Sequence, residues 1–152
     1  MEVQDLDPIG ESLGLTCEAR AVGWLGPPQV PSGGRLSREA FDVLMEHCLD
    51  PWQPYVFMGR HRCEHCVYSG GPGEVHADGR TVRIDGRNLF VPTKDVLYVA
   101  PIMIVHYVDA HGYVPPAPFV DALLACPPMR SMAYLKMLHD LGVRAPRPPS
   151  GA

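Results

Sequence analysis

Charge of either sign is sparse in this chain of 152 residues: Lys and Arg number 13, Asp and Glu 17, and the formal net charge is −4. A balance this slight gives no field that draws a protein onto nucleic acid or anionic lipid, and it leaves a basic partner as the electrostatically favoured one. Long apolar runs are also missing. The most apolar stretch, Val96 to Val108, contains Pro101 and His106 and is too short to span a bilayer. The opening Met1-Glu-Val-Gln-Asp-Leu-Asp7 has neither the positive region nor the apolar core of a secretory signal. The expected compartment is therefore the cytoplasm.

Cysteine is present but in the wrong arrangement for a disulfide framework. Of the five, Cys17, Cys48 and Cys126 are isolated, and only Cys63 and Cys66 lie close together. In a reducing compartment such a Cys-x-x-Cys pair serves a metal or redox chemistry rather than a structural disulfide. Signatures of several enzyme classes are lacking as well: no Gly-x-Ser-x-Gly elbow, no phosphate-cradling loop ending in Lys-Ser/Thr, no dinucleotide fingerprint. Gly70-Gly-Pro-Gly73 reads as a loop, because a proline interrupts it.

What the chain has in quantity is 17 prolines and 15 glycines, which imply much loop and short regular elements. Its length suits one domain with a core of its own. Residues 1–34 read as an irregular arm with one short packed segment around Ala21 to Leu25, ending in the linker Gly26-Pro-Pro-Gln-Val-Pro-Ser-Gly-Gly34; residues 35–143 read as a single α+β domain, and residues 144–152 as a disordered Pro-rich tail.

Within the domain, Ser37 is a good helix N-cap, and Phe41, Leu44, Met45 and Cys48 recur at helical spacing until Asp50-Pro51. Short strands are expected at Tyr55–Met58, Thr81–Asp85, Asn88–Val91 and Asp95–Val99, the last three forming a small antiparallel sheet or a hairpin plus an edge strand. Pro101 fits the first turn of a helix that runs through His106 and stops at Gly112. Two further short helices follow, Phe119–Ala125 and one capped by Ser131 with Tyr134, Leu135, Leu138 and Leu141 as its apolar stripe. The expected architecture is a small antiparallel sheet with a zinc knuckle, flanked by one N-terminal helix and a cluster of short C-terminal helices.

The chemistry concentrates in Gly59-Arg-His-Arg-Cys-Glu-His-Cys66 and in His106-Tyr-Val-Asp-Ala-His111. Two thiolates and two imidazoles suit Zn²⁺, which takes four nitrogen or sulfur donors in a tetrahedron. The expected ligands are Cys63, Cys66, His106 and His111, with His61 in reserve. His65 and His76 also lie near the cysteines. On an ideal helix His106 and His111 point about 140° apart, so both reach one ion only if the helix loosens at its end. Two ordinary readings compete: His106 as a half-buried packed histidine, and His111 as a cation at a helix C-terminus. For the thiols the competitors are a thioredoxin-like redox pair, which lacks the helix N-terminus it needs, and two plain partly buried cysteines. His47 and His139 read as surface residues.

Four protein ligands close a zinc site; three leave room for a water, with Glu64 as candidate general base of a hydrolase. Neither His-Glu-x-x-His nor the deaminase signature is present, which favours the closed form. Arg60, Arg62, Arg80, Arg83, Arg87 and Lys94 make the centre somewhat basic, as a nucleic-acid-binding zinc module requires, but Glu64, Glu74, Asp78 and Asp85 are interleaved.

The block Asn88-Leu-Phe-Val-Pro92, Tyr98-Val-Ala-Pro101, His106-Tyr107, His111-Gly-Tyr113 and Pro115-Pro116…Phe119, after Gly59-x-His-x-Cys-x-x-Cys66, resembles a family of small uncharacterised bacterial zinc-binding proteins. The resemblance covers residues 55–140, finds no counterpart for the first 35, and implies metal binding and a bacterial source without an activity. The expected function is that of a non-catalytic zinc protein that works through protein–protein contact, as an adaptor or an immunity-type protein.

Overall fold

The structure, a computed structural model, describes residues 3–25, 34–53, 63, 66 and 72–143. Among these the chain forms β1 (Glu18–Ala21), α1 (Arg38–Leu49), β2 (Glu74–Ala77), β3 (Arg80–Arg83), β4 (Asn88–Pro92), β5 (Val96–Pro101), α2 (Ile104–His111), α3 (Ala117–Ala125) and α4 (Met132–Asp140). The class is α+β. The expected strand at 55–58 and the tail at 144–152 lie outside the described residues.

The sheet differs from the expected antiparallel one. Its strand order is β1-β5-β4, with β5 antiparallel to β4 and parallel to β1. The N-terminal arm, expected to be irregular, thus supplies an edge strand. Its four residues Glu-Ala-Arg-Ala carry no β-branched or aromatic side chain, so the local sequence gave no sign of it. The stretch from Thr81, expected to pair forward through Gly86, pairs backward instead. β2 and β3 form a separate hairpin about Asp78-Gly79, both at positive φ, the Asp-Gly turn whose twist matches a two-residue hairpin.

β4 and most of β5 are buried at every position because the sheet is covered on both faces. Leu89, Val91, Tyr98 and Ala100 join one apolar cluster with Leu44 and Met45 of α1, Ile104 and Val105 of α2, Phe119 of α3, and Val75 and Val82 of the hairpin. The alternate residues Phe90, Leu97 and Val99 join a second cluster with Val3, Ile9, Tyr134 and Leu138. Period-two alternation along each strand produces this division.

Neither sheet edge is open. Residues 6–9 lie along β1, with Leu6 N–H donating to Ala21 O at 2.7 Å and Ile9 N–H to Ala19 O at 2.9 Å. Along β4 the Gln53 side chain pairs with both backbone groups of Asn88, and the Tyr134 hydroxyl donates to Phe90 O at 2.7 Å. Covered edges protect a small sheet from pairing with other chains.

The helix ends follow their caps. Ser37 Oγ accepts from Ala40 N–H, and Ser131 Oγ from Tyr134 N–H, each at 3.2 Å. Pro101 closes β5 instead of opening α2, where its missing N–H removes no ladder bond beyond the strand's last residue. Of the stripe expected on α4, Tyr134 and Leu138 are buried, whereas Leu135 is exposed. No helix among the described residues is long and apolar enough to cross a membrane.

Candidate metal centre

Cys63 and Cys66 sit on a turn in which Cys66 N–H donates to Cys63 O at 3.3 Å. That closure turns both sulfurs the same way. Cys63 is buried in the core cluster that contains α2, and Cys66 packs at its margin. Opposite them, α2 presents His106 from its middle and His111 from its last residue.

The end of α2 explains how two histidines five apart reach one point. Gly112 takes a left-handed conformation at φ 66°, and its N–H donates to Tyr107 O, five residues back. Tyr113 N–H donates to the same oxygen at 3.1 Å. The final turn is therefore wider than an α-turn and π-like, which carries residue i+5 back toward the face of residue i. His106 Nε2 and His111 Nε2 come within 3.1 Å of each other, and the rings meet edge to face with centroids 4.8 Å apart.

The four ligand atoms lie within 4.8 Å of one another. Cys66 Sγ is 3.2 Å from His106 Nε2 and 3.4 Å from His111 Nε2, and Cys63 Sγ is 3.5 Å from His111 Nε2. A tetrahedral zinc site, with bonds of 2.3 Å to sulfur and 2.0–2.1 Å to nitrogen, has N–N and S–N edges of roughly 3.4–3.6 Å. The three S–N contacts and the N–N contact, 3.1–3.5 Å, fall near those edges. Four converging lone-pair groups repel unless protons or a cation lie among them, and one ion meets all four. Cys63, Cys66, His106 and His111 are thus positioned to hold a metal ion.

Electrostatics prepare the same state. Burial, and next the charge of His111, hold His106 below its ordinary 6.5, against the opposing pull of Asp109. A histidine kept neutral keeps its lone pair for coordination. The remaining thiols are set apart from the pair. Burial pushes Cys48 and Cys126 up to about 12 and raises Cys17 as well, which favours the protonated thiol in all three.

The other candidates fall elsewhere. His61, His65 and Glu64 lie outside the described residues. His76 is exposed on β2, 2.8 Å from Thr81 Oγ1 and 3.2 Å from Glu74. His139 is exposed as expected, but His47 is buried beneath α3, because its position on α1 falls beside the core stripe. Arg80 donates to Asp42 and Glu46, Arg87 to Asp85 and Arg38 to Asp78, so these guanidinium groups have carboxylate partners close by.

Sequence reasoning missed the residues that fix the end of α2. Tyr113 is buried, and its hydroxyl donates to Asp5 Oδ2 at 2.7 Å across 108 positions of chain. No local pattern connects two such distant residues.

A family model described as a domain of unknown function (DUF7919) matches residues 1–124. The match begins at the first residue, so the N-terminal arm falls inside the family's extent, contrary to the range of 55–140 expected from the sequence. All four ligand candidates lie within it, and α4 lies beyond it. No match was found among curated proteins or among solved structures.

Proposed function

We propose, for a chain that belongs to this family of domains of unknown function, a zinc-stabilised bacterial protein that does no catalysis and acts in the cytoplasm through contact with another protein. The observation that carries the zinc reading is the convergence of four sulfur and nitrogen donors within 4.8 Å of one another. Two come from the Cys63–Cys66 turn and two from α2, some forty residues on, so the ion joins segments that the chain itself does not join. Zinc, when bound, supplies a crosslink between them. Four protein donors leave no position for a water, and two thiolates reduce the ion's power as a Lewis acid. Both points support scaffold over hydrolase.

What supports a protein partner is a groove of about 590 Å³ between α1 and the connection from α3 to α4. Val43, Leu49, Leu124 and Met129 form its apolar lining, while Asp42 and Glu46 of α1 and Asp50 just past its end line one side, paired with Arg80 and Arg130. Leu49 and Leu124 are among the large apolar side chains left exposed. A segment with one apolar face suits such a groove. Against a nucleic-acid partner stands the pairing of Arg80 and Arg87 with carboxylates.

Elemental analysis of the purified full chain tests the zinc reading. One zinc per chain is expected, falling to a small fraction in Cys63→Ser and His106→Ala. Wild-type protein purified in zinc-supplemented medium and carrying no stoichiometric metal would end it.

A further inference from the structure

The N-terminal segment does more than cover the edge of β1. It meets α2 at Ile104 and at Tyr107, next to His106, and holds Tyr113, two residues beyond His111. Asp5 uses one carboxylate oxygen to accept from Gly23 N–H at 2.8 Å and the other to accept from the Tyr113 hydroxyl at 2.7 Å. Gly23 has φ +77°, and a Cβ there would stand 3.0 Å from Ile104, the first residue of α2. The backbone of the segment therefore lies directly against the helix, an approach that only glycine permits. Val22 N–H donates to Val99 O, and Trp24 Nε1–H donates to the same oxygen, each at 3.0 Å. At the next residue, the hydroxyl of Tyr107 donates to Leu25 O at 3.4 Å.

These contacts converge on the wide turn that brings the imidazoles together. Tyr107 follows His106, and its carbonyl accepts from both Gly112 and Tyr113. Tyr113 lies two residues after His111, and its side chain is held by Asp5. We infer that Asp5 and Tyr113 are positioning residues of the metal centre, and that through them zinc binding and docking of the N-terminal segment on α2 are coupled. The inference rests on the zinc reading above. Physically, the Asp5–Tyr113 bond holds the Gly112–Tyr113 backbone in the π-like closure, and that closure aims His111 at His106. Released from Asp5, the helix end relaxes toward an ordinary α-turn, in which the two rings diverge. By linkage, whatever the segment adds to zinc affinity, zinc returns as tighter docking of the segment.

The test compares Tyr113→Phe with Tyr134→Phe in the full chain. Each removes one buried hydroxyl and keeps the ring, but Tyr134 bonds to Phe90 O in the cluster on the other face of the sheet. Zinc affinity is read by competition with a chromophoric chelator, and ligand geometry by the visible spectrum of the cobalt-substituted protein. Tyr113→Phe is expected to weaken zinc binding by on the order of tenfold and to change the cobalt bands, as loss of an outer-shell support does. Tyr134→Phe is expected to leave both unchanged. Equal effects from the two variants, or unchanged affinity and spectrum in Tyr113→Phe, overturn the inference while zinc binding itself stands. A wild-type chain that binds no zinc overturns the inference and the function reading together. A second measurement needs no variant: amide exchange at Leu6, Ile9 and Gly23 is expected to quicken severalfold when zinc is removed from the wild-type protein. Exchange there that is indifferent to zinc rules the coupling out.

Discussion

At the residue scale, burial decides what each titratable side chain does. His47 illustrates this away from the metal centre. Desolvation holds it below its ordinary 6.5, outweighing the charge of Glu46 and a backbone bond near Leu123 that pull it upward. Because its folded value is depressed, the unfolded chain binds more protons below pH 6.5, and stability there falls as pH falls. The loss begins near pH 6.5 and ends below the folded value. Denaturant midpoints taken between pH 8 and 5, in chelator so that metal does not contribute, should drop with acid in the wild type. The drop should be shallower in His47→Gln, which cannot charge. A wild type and variant with parallel profiles would remove His47 from the account. That burial was not legible beforehand: a histidine one residue before a core cysteine sits at the stripe's margin, and only the placement of α3 covers it.

At the scale of elements, helix boundaries are set by single side chains and strand pairing by distant ones. Ser37 and Ser131 each satisfy an N–H that the first turn leaves without a helical acceptor. Ser37→Ala and Ser131→Ala should each destabilise the fold by about 1 kcal/mol in urea melts, and the two losses should add because the caps lie on separate helices. Changes below measurement error would mean that tertiary packing alone sets those ends. Both caps were readable from the sequence, as was the stop at Gly112, because their causes act within a few residues. Strand pairing was read less well. Asp78-Gly79 is a hairpin signal in the sequence, but the alternation of Thr81–Asp85 is equally compatible with a turn at Gly86, and only the pairing with Glu74–Ala77 selects the first. β1 offered no signal at all, since its place beside β5 depends on a parallel pairing with a strand far away in the chain.

For the whole molecule, a sheet buried on both faces divides the labour. The face toward α4 carries none of the four donor candidates, whereas the face toward α1, α2 and α3 carries Cys63 and Cys66. Because the core is larger than that of a minimal zinc finger, removal of the proposed zinc should weaken the domain without abolishing its structure. Excess chelator should lower the melting temperature, and restored zinc should raise it in a concentration-dependent manner. At free zinc a hundred times Kd the gain is about 2.7 kcal/mol. A midpoint that is the same with and without zinc would contradict a structural role for the ion.

The sequence by itself determined the α+β class, the four helices among the described residues, the caps at Ser37 and Ser131, the stop at Gly112, and the donor types Cys63, Cys66, His106 and His111 as a set of interest. Each depends on spacing or on chemistry that acts over a few residues. Tertiary structure alone decided the rest: the parallel strand from the N-terminal arm, the burial of His47, and the widened end of α2. The reason for the last is long-range. Residues 106 and 111 diverge on an isolated helix, and the contacts around Tyr107 and Tyr113, anchored from Asp5 and Leu25, hold the turn that brings them together.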